Sequence, residues 1–524
     1  MHTKNRATKK HVLKSAGMVS FMTLISRVLG MVRDIFNAHM FGIGRVWDAF
    51  VFAFMLPNFI RRLLGEGALS GAFIPLYAEL LNKNGKKEAD AFTNIIISIL
   101  LVGLGAVLLA GTLVCGWLLH FVTLPDKVCM IMGLLQIFAP YVIILCALAV
   151  VVGVLNCHKK FFIPSLMPIM LNTGWLLAIV TVCQYFGTTL EIKAYVLALS
   201  IVCVGGLQGV MQGIALYRTG FRFRFNFNIR HPFFSKLITL MIPAVLGFSV
   251  MQINILVDLF LGFLIGDGAN SALWYGNRLM QFPLGMFGIA MGTVLLPTIS
   301  HQAARENFEE MKDTLSFALR IVSLVIVPST VGFIVLRTPI VSLLFEGGLF
   351  DHTATVKAAN TLMAYSFGLF AYAGLKLLLP SFYSLKDTRT PMRIGVLCMI
   401  LNVVLNVILM IPMKEVGIAL STSVTNAINF IVLFIILGKQ IGKIQGLTAP
   451  FIRICIASAV MGVLIWYVYP MIPVLPGMHH KIALAVKIFG TIGVGIVFYF
   501  VFCFVLGMRE LKSAWQLIMK KEKA

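Results

Sequence analysis

Five arginines interrupt segments that are otherwise apolar enough to lie in a lipid bilayer. These arginines are Arg27, Arg33, Arg61, Arg62 and Arg278. An arginine at mid-bilayer costs about 3 kcal/mol or more, so intramembrane arginines nearly always face a polar cavity or a partner group. Because planar guanidinium groups bind phosphate oxygens through paired hydrogen bonds, the pattern predicts a cationic cavity for an anion such as a phosphate or pyrophosphate.

The first apolar segment carries two of these arginines. Arg27 and Arg33 point about 120° apart on an ideal helix, and Gly30 between them permits a bend that brings both into one cavity. Two intramembrane arginines in one span favour such a joint role. The alternative is that Arg33 pairs with its neighbour Asp34 or reaches the headgroups, and that only Arg27 faces the cavity.

The second apolar segment has one charge at its start and several near its end. It begins with Asp48, and Pro57 removes a helix hydrogen bond one turn before Arg61. Arg61 and Arg62 differ by about 100° on a helix, so one is predicted to face inward and the other to reach the headgroups. Glu66 follows in a break of small residues, which is either an interfacial turn or a mobile gate that brings its carboxylate to an arginine.

Arg278 is the strong charge that the second half contributes at this depth. Its neighbours Asn277 and Gln281 share one helix face and, being neutral, do not cancel its charge. If the two halves face each other, Arg278 completes the arginine cluster from the opposite wall.

A second polar group lies in later apolar segments. It combines one carboxylate, Asp258, with the amides of Asn402 and Asn406 and the hydroxyl of Thr422. Such oxygen atoms suit a hard monovalent cation such as Na⁺. The alternative is a hydrogen-bonded network that joins helices, which polar side chains often provide in membranes.

The composition is that of a membrane protein. Of 524 residues, 59% are hydrophobic and 12% charged, with a mean hydropathy of +0.94, whereas a soluble domain carries about a quarter charged residues. The net charge of +23 then reflects basic loops and anionic headgroups rather than nucleic acid. The sequence has no Cys/His ligand spacing and no Walker A, HExxH or Ser/His/Asp pattern, which favours a transporter over an enzyme.

The elements that must hold these residues are apolar segments of about 20 residues, the length of a transmembrane helix. Fourteen such segments predict an all-α, polytopic membrane protein. They lie near residues 14–38, 46–64 (running on through 72–81), 92–118, 129–155, 163–186, 194–217, 237–265, 270–298, 314–336, 358–380, 392–412, 415–438, 451–470 and 482–506. Lysine and arginine are concentrated in the tails and in alternate loops such as 218–236, so both termini are predicted to be cytoplasmic.

A faint internal repeat relates the two halves. Residues 72–75 match residues 294–297. The basic turn at Lys159 and Lys160 in the first half corresponds to the basic turn at Lys386 and Arg389 in the second half. Six spans per copy preserve direction, so the copies are predicted to be parallel, an arrangement that many transporters use. The predicted domains are residues 1–220, residues 221–440 and an appended helix pair with the C-terminal tail in residues 441–524.

These motifs follow one another in an order found in a known family. The first half carries Ser26-Arg27-Val28-Leu29-Gly30, Arg33-Asp34, Asp48-Ala49-Phe50, Leu56-Pro57-Asn58, Arg61-Arg62, Gly67-Ala68 and Ala72-Phe73-Ile74-Pro75. The second half carries Arg278-Leu279-Met280, Phe282-Pro283, Phe382-Tyr383-Ser384, Asp387 and Thr390-Pro391. Over almost its whole length, the chain resembles the MurJ (MviN) lipid II flippases.

This resemblance implies a MOP-superfamily exporter with two six-helix lobes and two further helices that form a groove for a lipid tail. It implies movement of lipid II, an undecaprenyl-pyrophosphate-linked peptidoglycan precursor, from the inner to the outer leaflet of the bacterial cytoplasmic membrane by alternating access. By position, Arg27, Arg33 and Arg278 would engage the pyrophosphate. Asp48 and Arg61 would be further substrate-binding charges. Other expected partners are membrane lipids and cell-wall synthesis proteins.

The resemblance also implies moving parts and a cation site. Asp34 and Glu66 would be gate residues. Some relatives use a cation site in the second lobe, and the comparable positions here are Asp258, Asn402, Asn406 and Thr422. Two departures matter, because acids often stand in the family where this chain has Asn277 and Gln281, and an acid stands in some relatives at the position of Asn406.

Other functions fit parts of the sequence. An O-antigen-type lipid-oligosaccharide flippase or a drug/cation antiporter would share the architecture, but a drug antiporter should have an acidic or apolar cavity. A membrane glycosyltransferase acting on polyprenyl phosphates should place catalytic carboxylates in a large outer loop, and the outer loops here are short. A non-transporting scaffold would have no need of five buried arginines.

Overall fold

The computed structural model describes residues 2–63, 69–473 and 478–508, with side chains described from residue 17 onward except at 244, 246–248, 250 and 251. The residues described are helices joined by loops, and their one β-type contact is an isolated pairing of Gly347 with Phe350. The prediction of an all-α protein is confirmed for these ranges.

The first compact unit runs to Ile253. Its helices are α1 (His2–Phe41), α2 (Arg45–Ile60), α3 (Ser70–Lys83), α4 (Lys86–Ile99), α5 (Gly105–Phe121), α6 (Asp126–Cys157), α7 (Phe162–Leu177), α8 (Cys183–Phe186), α9 (Leu190–Tyr217) and the first part of α10 (Pro232–Ile265). Wider π-helical turns at Leu100–Leu104 and Ala178–Val182 join α4 to α5 and α7 to α8.

The second compact unit starts at Asn254. Its helices are the rest of α10, α11 (Ala269–Pro283), α12 (Ala290–Ala304), α13 (Phe308–Val335), α14 (Arg337–Phe345), α15 (His352–Ser366), α16 (Leu369–Ser384), α17 (Arg389–Ile441), α18 (Thr448–Met471) and α19 (His480–Val505). The division after Ile253 lies inside α10 and places α18 and α19 in this unit. The domain boundaries expected at residues 220 and 440 stay a prediction.

Many of these helices have the length and apolarity of membrane spans. Within the described ranges, nine helical stretches are long and apolar enough to cross a bilayer. The pair α15 and α16, which meet at 44°, makes a tenth if they form one span. The total of fourteen spans stays a prediction.

Helix α17 is two helices that fold back on each other. Its 53 residues are interrupted at Lys414, whose backbone has φ 51° and ψ −132°. The two arms meet again at their far ends, where Gln440 Nε2 donates to Asp387 Oδ2 at 2.9 Å. The break lies between the segments expected at 392–412 and 415–438, as their hydropathy indicated.

Two turns support the internal repeat. Lys159 after α6 and Lys386 after α16 both have positive φ, 59° and 60°. In each turn the next residue closes a wide loop: Lys160 N–H donates to Leu155 O, and Asp387 N–H donates to Phe382 O. The two turns are 227 residues apart, close to the 222 residues that separate 72–75 from the matching residues 294–297.

Each unit has its own apolar core. In the first unit, Phe73 and Phe92 stack with ring centres 5.7 Å apart among buried residues of α3, α4, α6 and α9. In the second unit, Ile454 of α18 and Cys503 of α19 are fully buried in a cluster with Leu324 of α13. Tyr499 Oη donates to Leu324 O at 2.9 Å, which fixes α19 to α13. The two C-terminal helices are therefore packed into the second unit.

Candidate functional site

Arg33 lies in a buried polar network between α1 and α7. Its Nε and Nη2 donate to Asp34 Oδ1 at 3.0 and 2.7 Å, and its Nη1 donates to Asn172 Oδ1 at 3.0 Å. The guanidinium carbon lies 4.5 Å from the centre of the Trp175 ring. Because Arg33 is 7% exposed and Asp34 fully buried, each charge is compensated by the other. The structure thus pairs Arg33 with Asp34, while a joint role of Arg27 and Arg33 in one cavity stays a prediction.

Two residues of α7 connect this network to the rest of α1. Asn172 Nδ2 donates to Ser26 O at 2.9 Å and to Ser26 Oγ at 3.1 Å. One turn later, Trp175 Nε1 donates to Asn37 Oδ1 at 3.0 Å. The Trp175 ring also packs edge-on against Phe54, with ring centres 5.0 Å apart. The polar face of α1 is therefore held by α7, and the aromatic residues of α2 close the network on one side.

The remaining cationic residues of the first unit differ in environment. Arg27 is half-buried, and within the described ranges its side chain makes no hydrogen bond or ion pair. Arg61 is half-buried and Arg62 is exposed, and both have contacts with other groups. Glu66, the expected gate, lies outside the described residues.

Asp48 forms a buried ion pair that joins α2 to α6. Its Oδ2 lies 2.9 Å from Lys127 Nζ, and the two side chains are 0% and 11% exposed. Nearby, Arg45 pairs with Asp126 at 2.8 Å and with Glu191 at 2.9 Å, so one arginine ties the starts of α2, α6 and α9 together. These ion pairs hold α2, α6 and α9 together at one end of the first unit.

Arg278 belongs to the second unit. It is half-buried on α11 and has contacts with other groups. The two neutral residues that depart from the resemblance bind each other, since Gln281 Nε2 donates to Asn277 Oδ1 at 3.0 Å.

The four residues of the expected cation site come together in the second unit. Asn406 Nδ2 donates to Asp258 Oδ1 at 2.6 Å and to Asn402 Oδ1 at 3.0 Å, and Thr422 Oγ1 donates to Asp258 Oδ2 at 3.4 Å. Asn402 Nδ2 also donates to Thr425 Oγ1 at 3.2 Å, and Ser421 Oγ donates to Asn406 Oδ1. The cluster has one carboxylate among neutral oxygen atoms, and the described residues contain no group of three or more His, Cys, Asp or Glu that would suit a transition metal.

Comparison with known proteins decides the family. The model of the family described as lipid II flippase MurJ matches residues 37–484. The chain belongs to the MurJ family. A probable lipid II flippase MurJ of Vibrio cholerae is 35% identical over 525 residues, which cover 96% of this chain and 98% of the relative. The lipid II flippase MurJ of Burkholderia cenocepacia is 31% identical over 436 residues, covering 80% and 83%.

Solved structures agree with this assignment. A lipid II flippase MurJ in an inward closed conformation matches with a TM-score of 0.77 at 25% identity, covering 94% of this chain and 99% of that one. An inward-facing MATE-family multidrug resistance transporter of the MOP superfamily matches with a TM-score of 0.65 at 14% identity, covering 82% and 98%. The second match shows the shared MOP fold alone.

The structure adds three residues to those that the sequence indicated for this member of the MurJ family. Asn172 and Trp175 bind the arginine network, and Lys127 neutralises Asp48. Lys127 is the second residue of α6, where a positive charge is unfavourable because it opposes the helix dipole. This unfavourable position is the one feature of the sequence that suggests an acidic partner for Lys127. Asn172 gives a better signal, because an amide within an apolar span needs a polar partner.

Proposed function

We propose that the chain flips lipid II from the inner to the outer leaflet of the cytoplasmic membrane by alternating between inward-open and outward-open states. The observation that carries this proposal is the match of the MurJ family model over residues 37–484. The arginines of the first unit support it, because pyrophosphate is an anion that needs compensation away from water. The orientation with both termini cytoplasmic, and association with cell-wall synthesis proteins, are parts of the same proposal.

Arg27, Arg33 and Arg278 are the residues proposed to bind the pyrophosphate. Arg27 is the arginine of α1 whose side chain is not engaged within the described ranges. Arg33 already donates to Asp34 and Asn172, so phosphate oxygens would have to take the place of these acceptors. Such an exchange keeps the guanidinium paired with an anion, but it takes Arg33 away from the buried Asp34 carboxylate, at a cost that binding of the pyrophosphate has to offset.

We also propose that the cluster around Asp258 binds Na⁺. The donor set fits this ion, because one carboxylate, the Asn402 amide oxygen and hydroxyl groups provide hard oxygen ligands with a single negative charge. When bound, the ion would supply a positive charge that joins α10 to both arms of α17. Without it, the same side chains satisfy each other by hydrogen bonds.

The transport proposal is tested in cells in which this chain is the only lipid II flippase and can be depleted. Lipid II at the outer surface should fall on depletion and return with the wild-type chain. Arg27→Ala, Arg33→Ala and Arg278→Ala should each leave membrane-inserted protein but lower the exposure about tenfold or more, as expected for the loss of a charge-assisted hydrogen bond.

The matched control is Arg305→Ala, which removes an exposed arginine between α12 and α13 and should transport normally. Unchanged exposure on depletion would disprove lipid II transport. Normal transport by all three arginine variants would be compatible with lipid II transport but would disprove the role of these arginines in binding the pyrophosphate.

The Na⁺ proposal is tested by the thermal unfolding of purified protein in NaCl and in KCl. Sodium should raise the midpoint for the wild type, because a ligand at a hundred times its Kd stabilises the folded state by about 2.7 kcal/mol. Asp258→Asn should abolish the difference between the salts, whereas Asp313→Asn, at an exposed position of α13, should keep it. Equal unfolding of the wild type in both salts would rule out the site.

A further inference from the structure

The loop segment of residues 221–228, between α9 and α10, is fixed along one face of α4. The N–H of Arg224 donates to Asn94 Oδ1 at 3.1 Å, and the N–H of Asn226 donates to Ser98 Oγ at 3.0 Å. In return, Asn94 Nδ2 donates to the carbonyl of Arg222 at 3.2 Å. Asn94 and Ser98 are four residues apart and so share a helix face. The segment is therefore held in place by polar groups that α4 provides for its backbone.

The side chains of this segment alternate between aromatic and polar. Phe223, Phe225 and Phe227 are all exposed, and their rings follow one another at 5.0 and 6.2 Å. Arg222 and Arg224 stand at the alternate positions of the sequence. Aromatic rings beside basic residues are typical of the membrane–water interface.

The start of the segment covers an apolar cavity of about 230 Å³. Aliphatic side chains of α4, α6 and α9 line it, and Phe221 and Phe223 complete its wall. Gly213 of α9 is also part of the lining, and a Cβ atom added there would meet no atom within 4 Å. The lining is thus mainly apolar, and the cavity has room for hydrocarbon.

Arg222 stands at the rim of this cavity. Its guanidinium carbon lies 3.7 Å from the centre of the Tyr217 ring, and its Nη1 donates to Tyr217 O and Phe221 O at 3.1 and 3.0 Å. Tyr217 and Phe221 both line the cavity. Within the part of the chain that the structure describes, the Arg222 Nε and Nη2 groups donate to no acceptor. The charge is therefore held at a fixed position with donors left for an anion.

We propose that this cavity binds an anionic phospholipid, with an acyl chain among the aliphatic side chains and the phosphate at Arg222. The apolar lining and the fixed guanidinium match the two ends of such a lipid. A free phosphate would gain nothing from the cavity. A zwitterionic lipid would gain less from the arginine than an anionic one, because its own headgroup cation offsets the charge of its phosphate. The site includes part of the basic loop 218–231, on the side that the charge distribution predicts to be cytoplasmic, where anionic lipids attract basic residues.

The test compares phosphatidylglycerol with phosphatidylcholine, each added to the purified full-length protein, with retained lipid counted by native mass spectrometry. The wild type should retain phosphatidylglycerol in preference. Arg222→Gln should lower this preference about tenfold or more, as loss of a charge-assisted hydrogen bond implies. Arg305→Gln, at another exposed arginine, should leave it unchanged.

A second pair of variants tests the cavity. Gly213→Leu fills the cavity and should abolish retention of phosphatidylglycerol above background. Gly206→Leu is the matched control, since it lies on the same helix, also has no atom within 4 Å of an added Cβ and does not line the cavity. Both changes replace glycine by a better helix former, so folding should be preserved.

Two outcomes would overturn the proposal. One is equal retention of the two lipids by the wild type, and the other is undiminished retention by both Gly213→Leu and Arg222→Gln. No lipid II is present in this experiment, so its result is independent of the transport proposal.

Discussion

Asp48 could act on the substrate or could hold α6 in place, and the sequence could not distinguish these two roles. Asp48 was expected to act on the substrate, yet its carboxylate lies 2.9 Å from Lys127 Nζ. Removing one member of a buried ion pair costs about 3–5 kcal/mol because the other is left uncompensated, whereas replacing both is much less costly. A carboxylate that serves only to fix α6 should thus become dispensable once its lysine is removed.

We therefore expect Lys127→Met and Asp48→Asn to lower the thermal unfolding midpoint of the purified protein, and the double variant to recover most of the loss. Lys443→Met, at an exposed loop position, is the control and should have no effect. Transport by the double variant would assign Asp48 a purely structural role. A double variant that is stable but does not transport would show that the Asp48 carboxylate itself is needed for transport. Additive losses in stability would contradict the pairing.

How far the site could be predicted depends on where each partner lies in the chain. The pairing of Arg33 with Asp34 could be listed as an option because the residues are adjacent. Asn172 is 139 residues from Arg33, and no local pattern relates the two. The cluster around Asp258 was found because each of its members is a polar residue in an apolar span, which by itself requires a partner.

At the scale of the element, the break in α17 rests on a close backbone contact. A Cβ added to Gly417 would lie 2.2 Å from Leu409 O and 2.5 Å from the Leu409 carbonyl carbon. Because these are backbone atoms, no side chain can move aside to make room. The hydrogen bonds from Asn402 to Thr422 and Thr425 cross between the same two arms. The polar cluster around Asp258 therefore depends on how tightly α17 folds back.

Gly417→Ala should consequently force the two arms of α17 apart and lower stability by about 2 kcal/mol or more, in the range of overpacked cores. Gly438→Ala is the matched change on the same element, with no atom within 4 Å of its added Cβ, and should be neutral or stabilising by up to about 1 kcal/mol. Both are measured by thermal unfolding of the purified protein. Equal behaviour of the two variants would show that the break tolerates a wider separation.

The helices themselves were the most predictable part of the fold. Apolar runs of about 20 residues mark them, and the break at Lys414 lies in the two-residue gap between the segments expected at 392–412 and 415–438. The π-helical turns at Leu100–Leu104 and Leu284–Ile289 could not be predicted, because one extra residue in a turn leaves hydropathy unchanged. The bend of 44° between α15 and α16 is set by packing and has no local signal either.

At the scale of the whole molecule, the distribution of charge predicts the orientation in the membrane. The net charge of +23 is concentrated in the tails and in alternate loops, and positively charged loops stay in the cytoplasm. The loop at 158–161 has Lys159 and Lys160, whereas the loop at 187–189, one helical stretch later, has no charge. In the second unit, the loop at 442–447 contains Lys443 and is one of the basic loops predicted to be cytoplasmic.

Labelling of single cysteines with a membrane-impermeant maleimide measures this orientation in each unit separately. In a variant without the nine native cysteines, Thr188→Cys should react in intact spheroplasts. Lys160→Cys and Lys443→Cys, both at exposed positions, should react only after permeabilisation. The reverse pattern at all three sites would mean an inverted protein, in which the arginine-bearing α1 would start outside. Reaction of Lys443→Cys but not Lys160→Cys before permeabilisation would instead mean an odd number of spans between the two loops, against the predicted eight.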